Sequence, residues 1–209
     1  MKRIDFWFDP VSPFVHLAFE RLPQALEGLS VEVRYRPVLF AGLLAHWGQK
    51  GPAEIEPKRQ WTFRHVQWLA HAQGTRLETP AEHPFNPLSL LRLALACGPN
   101  RRVVEAVLQH VWCSGGASAT DPARLAALAE ALAPARDPAG DEVKRELRAA
   151  TDEAIARGVF GVPSFELDGR LFWGLDALPM LRAALAGDAW FDGPAWAAAG
   201  APQPGVVRG

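Results

Sequence analysis

Apolar and polar positions alternate from the start of the chain. Ile4, Phe6 and Phe8 are interleaved with Arg3, Asp5 and Trp7, which is the period of a β-strand. From residue 13 to about 28 the apolar positions recur at helical spacing, with Pro23 expected to break the helix. Val31, Val33 and Tyr35 then alternate with Glu32, Arg34 and Arg36. A β-α-β order of this kind predicts two parallel strands joined by a right-handed crossover. Residues 40 to 157 carry no strand pattern. They read as helices at about 57–74, 87–97, 102–112, 122–132 and 141–157, separated by loops bearing Pro and Gly. The period returns to two at Phe165, Leu167, Leu171 and Trp173, which flank Asp168-Gly169, a dipeptide suited to the positive dihedrals of a tight hairpin. A short helix is expected from about 177 to 186.

The order is therefore β-α-β, a helical block, then β-β-α. It predicts one α/β domain made of residues 1–39 and 159–186, interrupted by an all-helical insertion over 40–158. Residues 187–209, rich in Ala, Gly and Pro, read as a loosely attached tail that Trp190 and Trp196 have the means to anchor.

Composition narrows the function classes. The 209 residues are 49% hydrophobic with a formal net charge of −1, enough apolar material for a sizeable core. With no block of like charges, neither nucleic acid nor an anionic membrane is an expected partner, which leaves small molecules. Acids inside the apolar N-terminal stretch argue against a signal peptide or a membrane span there, so a cytoplasmic location is expected. Cys97 and Cys113 form neither a Cys-x-x-Cys nor a zinc spacing, and His65, His71, His83 and His110 form no recognised ligand set, so no metal is expected.

The chemical candidate is Ser12. It lies between the first strand and Pro13, a residue favoured at the first position of a helix. Ser is a favoured N-cap, and the open N–H groups of a helix start attract an anion. On its own this motif reads as simple capping, which is all that most Ser-Pro pairs at strand-to-helix turns do. His16 follows one helical turn later, but a Ser-His hydrolase would want a Gly-x-Ser-x-Gly elbow and a third residue to orient the base, and the sequence has neither. Gly115-Gly116 reads as a helix terminator rather than a phosphate loop.

Taken together, the Ser12-Pro13-Phe14 turn, the Gly158–Phe165 run containing Gly161-Val162-Pro163, the Lys58-Arg59-Gln60-Trp61 stretch and His83-Pro84-Phe85-Asn86-Pro87 resemble a known family. Over about residues 3 to 186 the chain looks like the DsbA-like thioredoxin superfamily. Within it, the chain is similar to the 2-hydroxychromene-2-carboxylate isomerases and their relatives, the kappa-class glutathione transferases. The resemblance implies an α/β thioredoxin-like fold with a large all-helical insertion, glutathione as cofactor, an aromatic electrophile as substrate and a homodimer.

The resemblance also implies roles for residues. Ser12 stands where a thiol oxidoreductase has its cysteine. A hydroxyl forms no mixed disulfide, so disulfide exchange is excluded there. Instead the hydroxyl would hydrogen-bond the glutathione sulfur and, with the helix dipole, favour the thiolate. Pro163 would be cis, turning the Val162 backbone toward the glutathione cysteine. Trp173, Leu175 and Asp176 would hold the γ-glutamyl end, although Asp176 is also a natural N-cap. Lys58, Trp61 and Asn86 would wall the electrophile. Leu43-Leu44 stands where the isomerases place a basic side chain, and the only tyrosine, Tyr35, lies in a strand. Three functions remain open from the sequence: a glutathione-dependent isomerase, a kappa-like transferase that releases a conjugate, and a binding module without catalysis.

Overall fold

In a computed structural model describing residues 1–201, β1 (Lys2–Phe8) and β2 (Val31–Pro37) pair in parallel around helix α1 (Pro13–Ala25). β3 (Ser164–Leu167) pairs antiparallel with β1, and β4 (Arg170–Trp173) with β3, giving the order β2-β1-β3-β4. Asp168 and Gly169 have φ of 50° and 77°, the positive values that let a two-residue turn match the strand twist. Between β2 and β3 come α2 (Phe40–His46), α3 (Glu56–Gln73), α4 (Leu88–Ala96), α5 (Arg101–Trp112), α6 (Pro122–Leu132) and α7 (Asp141–Ala156). α8 (Leu178–Ala186) and α9 (Pro194–Ala199) follow β4.

β1 is buried on both faces, so its alternation separates two kinds of neighbour rather than core from solvent. On one face Phe6 stacks on Phe165 at 4.9 Å between centroids and meets Tyr35 edge-on, and Tyr35 in turn meets Phe19 of α1. On the other face Asp5 and Trp7 are covered by charged side chains. Arg34 brackets the Asp5 carboxylate through two nitrogens, and Arg36 lies 4.8 Å from the centroid of the Trp7 ring. Arg157, just past α7, bonds Glu153 and Glu166. A carboxylate as buried as Asp5 requires this pairing, because an unpaired charge there would be costly.

A single cluster of buried side chains runs from Ile4, Phe6 and Phe8 through Leu90, Val104 and Trp112, so the insertion shares its core with the sheet. Three local expectations need correction. α1 continues through Pro23 and stops two residues later, because a proline this near a helix end removes only one late hydrogen bond. α2 is a short helix at a place where no element was expected; only Leu43 of its residues is buried, too little to create a period. Residues 189–199 do not hang loosely. They form a 3₁₀ turn (Ala189–Asp192) and α9, and Phe191 and Trp196 pack on Phe172 of β4. Positions 202–209 of the expected tail lie outside the described residues.

Docking of this segment is testable. Phe191 is 3% exposed and Trp190 45%. Phe191→Ala is expected to cost about 3 kcal/mol in urea unfolding, as for other buried Phe truncations, whereas Trp190→Ala, which loses half-exposed edge contacts with Phe191 and Trp196, should cost about 1 kcal/mol.

Candidate active site

Four residues between β1 and α1 carry Ser12, and side chains from distant elements fix them. Asp9, fully buried, accepts the Val11 N–H on one carboxylate oxygen and the Phe40 N–H on the other, both at 2.9 Å. Trp112 at the end of α5 donates its indole N–H to the Pro10 carbonyl at 3.0 Å. His83 places Nε2 2.8 Å from the Val11 carbonyl. Because a carbonyl only accepts, Nε2 must carry the proton, which leaves Nδ1 bare. The Ser12 N–H closes the turn on the Asp9 carbonyl at 3.1 Å.

Ser12 occupies the N-cap of α1 by backbone position, but its hydroxyl makes no capping bond. It points to the Val162 carbonyl at 3.5 Å, a contact too long to count as a strong bond. The simple capping reading therefore does not describe this side chain. The hydroxyl remains available at a helix start where Pro13 has no N–H and the Val15 N–H is held by the Ser12 carbonyl at 3.1 Å, so that the Phe14 N–H is the one left open there among the described residues.

Opposite Ser12, the Val162-Pro163 peptide bond is cis. The Val162 N–H has no acceptor among the described residues, while the Pro163 carbonyl accepts from Gly174 N–H at 2.9 Å and so ties the loop to the end of β4. Gly161 has no Cβ, which lets the Trp173 indole pack on it; an added Cβ would stand 2.6 Å from the Trp173 ring nitrogen. Gly174 takes φ of 95°, a value that disfavours side chains. Asp176 lies in a 3₁₀ turn (Leu175–Ala177) and caps no helix; α8 begins after Ala177.

Val162, Pro163, Trp173, Leu175 and Asp176 line one cavity of about 670 Å³ together with Phe14. Ser12, 8% exposed, does not itself line the cavity; it adjoins it through its contact with Val162, which does. The structure does not bring the other three candidates into this lining. Lys58 is exposed on α3, and Asn86 bonds the Leu88 N–H at 3.0 Å as a turn residue at the start of α4. Trp61 stacks on His65, which does line the cavity. Asp9, His83 and Trp112, which hold the turn, carry no signal in sequence spacing beyond an acid at the end of an apolar strand.

Burial sets the electrostatics. It pushes the Asp9 carboxyl up to about 7 against the pull of its two N–H donors. The same effect lowers His83, His16 and His110, each of which bonds a backbone carbonyl. Both free thiols, Cys97 and Cys113, are raised by burial, which disfavours their thiolates at neutral pH. Among the described residues no helix is long and apolar enough to cross a membrane.

With this geometry in place, comparison with known proteins settles the ancestry. The model of the DSBA-like thioredoxin domain family matches residues 3–186. The chain belongs to this family. Within it, the chain groups with the 2-hydroxychromene-2-carboxylate isomerases. A protein of that name from Sphingobium xenophagum is 31% identical over 195 residues, covering 88% of this chain and 98% of its own. The human glutathione S-transferase kappa 1 is 25% identical, covering 90% and 92%. A solved 2-hydroxychromene-2-carboxylate isomerase superposes with a TM-score of 0.78 at 25% identity, over 91% of this chain and 97% of that one. The DsbA-like fold expected from the sequence is thus the fold of the protein.

The pH response of stability follows from these shifts. A histidine lowered on folding gives stability that is present above its unfolded value of about 6.5 and lost as the pH falls. Asp9, raised on folding, acts in the opposite sense: its contribution is present below about 4 and lost as the pH rises toward 7. Urea unfolding from pH 7.5 to 5 should therefore show a shallower acid loss in His83→Gln and a steeper one in Asp9→Asn than in the parent.

Proposed function

We propose that the protein is a glutathione-dependent isomerase of the 2-hydroxychromene-2-carboxylate type. The observation that carries this reading is the Ser12 hydroxyl: it is unused as a helix cap and is held against the cis Val162-Pro163 bond beside a cavity. The names of its relatives support the reaction class.

The residues present suit glutathione. The unpaired Val162 N–H and the weakly engaged Val162 carbonyl offer an extended peptide the two bonds by which a strand edge receives a partner. The exposed Asp176 carboxylate suits an ammonium group at the far end of that peptide. Bound glutathione supplies the thiol nucleophile that the protein itself lacks.

This chain's own part is electrostatic. The Ser12 hydroxyl donates toward a thiolate, and the start of α1 adds the positive end of its dipole, so that the charged form of the sulfur is favoured over the neutral one. Asp9, His83 and Trp112 keep the turn from relaxing when charge arrives, which makes the donor preorganised. Phe14 and the Trp173 face, packed on Gly161, bound the site with apolar surface and limit water. The two free thiols suit a reducing compartment, and we place the protein in the cytoplasm. Trp61 and Trp68, a heptad apart on α3 and 66% and 62% exposed, supply a face for the homodimer we propose on the same reading.

Ser12→Ala is expected to lower turnover of 2-hydroxychromene-2-carboxylate by about 100-fold or more, the scale of losing one preorganised donor. Glutathione affinity should change only a few-fold. Equal loss of turnover and affinity would make Ser12 a binding residue only. Mass spectrometry of the product separates isomerase from transferase, since only a transferase leaves the tripeptide attached.

A further inference from the structure

The cavity beside Ser12 extends well past the cis proline. It continues along the groove between α1, α3 and α8, walled by Phe14, His65, Leu69 and Leu178, and reaches Arg21 and Arg182 at its far end. We propose that this groove takes an apolar carboxylic acid whose carboxylate stands an aryl or alkyl length away from its reacting carbon, with Arg21 as the partner of that carboxylate. That the acid is a substrate rests on the reading of Ser12 given above; that the groove binds it does not.

Three observations carry the assignment. The middle of the groove presents apolar side chains from three helices, which suits a hydrocarbon body rather than a peptide backbone. At the far end the two arginines differ. Arg182 spends its guanidinium on the Ala25 and Glu27 carbonyls at 2.8 and 2.9 Å, whereas Arg21, which borders both this groove and the neighbouring cavity lined by Glu20, makes no hydrogen bond or ion pair among the described residues. The third observation is position. Phe14 and Arg21 are seven residues apart and share one face of α1, and Arg21 lies nine residues after Ser12.

Nine residues of helix span about 13 Å. Helical side chains lean back over the preceding turn, about 5 Å, so the cation stands about 8 Å from the level of the Ser12 hydroxyl. An acid group borne on the reacting ring system itself, as in 2-hydroxychromene-2-carboxylate, falls short of Arg21, so the groove takes longer acids in addition to that compact one. A carboxylate separated by a second ring or a chain of several methylenes would meet it, with the intervening carbons against Phe14, Leu69 and Leu178. Asp176 is the one acid lining this cavity, and it lies at the opposite, cis-proline end, so the potential favours an anion at the Arg21 end.

The test is calorimetric titration of the protein, with and without reduced glutathione, using benzoate, 2-naphthoate, 6-phenylhexanoate and 6-phenylhexan-1-ol as probes. The elongated acid should bind more tightly than the compact ones. Arg21→Met should weaken 6-phenylhexanoate by about tenfold, the scale of one charge-assisted hydrogen bond, while leaving the alcohol and glutathione unaffected. Leu69→Trp, which fills the groove, should block acid and alcohol alike and spare glutathione. The proposal is overturned if benzoate binds as well as 6-phenylhexanoate, or if Arg21→Met leaves acid binding unchanged. It is equally overturned if that variant weakens glutathione to the same degree, since Arg21 would then belong to the glutathione site. Acid binding that behaves as expected in a protein that does not bind glutathione would uphold the groove and contradict the glutathione reading.

Discussion

The buried Asp9 carboxylate joins the end of β1 to its own turn through the Val11 N–H and to the start of α2 through the Phe40 N–H. The two elements that flank the site, α1 and the first helix of the insertion, therefore share one anchor. Trp112 and His83 complete it from α5 and from the loop before α4, by taking the Pro10 and Val11 carbonyls. Without these partners the turn would carry unsatisfied polar groups in a closed environment, at a cost of about 1–3 kcal/mol each. The insertion is thus coupled to the Ser12 turn and not merely appended to the sheet, as the shared core also indicates.

This anchoring gives Ser12 its freedom to act elsewhere. In an ordinary helix start the Ser side chain would bond back to the helix. Here the backbone is held by other residues, and the hydroxyl faces the Val162 carbonyl across the cis bond instead. The Pro163 carbonyl is tied to Gly174, so the loop that faces Ser12 is braced by the end of β4. Charge stabilisation by a fixed donor needs little reorganisation when charge develops, which is the physical advantage of such a site.

Much of this was legible in the sequence, for identifiable reasons. The strand and helix periods, together with the Pro and Gly that punctuate them, located β1, β2, the long helices and the hairpin, most clearly where one buried face repeats, as along α5. The juxtaposition of Ser12 with Val162-Pro163 followed only from the family resemblance, since their 150-residue separation carries no local signal. What escaped were features decided by single long-range contacts. Asp9 meets its second donor 31 residues away, and the His83 and Trp112 clamps span 72 and 102 residues. α2 was too short, and residues 189–199 were read by their Ala, Gly and Pro content although two aromatics, Phe191 and Trp196, dock them on β4. Lys58 and Asn86 suited the chemistry, yet the fold spends Asn86 on a turn and leaves Lys58 in solvent.

On the proposed function, the Ser12 turn stabilises a thiolate that the protein does not itself possess. The most direct measurement is a calorimetric titration with reduced glutathione in buffers of different ionisation enthalpy from pH 6 to 8. Saturable binding with release of a proton near neutral pH, absent when S-methylglutathione replaces glutathione, is the predicted result. Binding without proton release, or no binding at millimolar glutathione, would show that the Ser12 turn stabilises no thiolate.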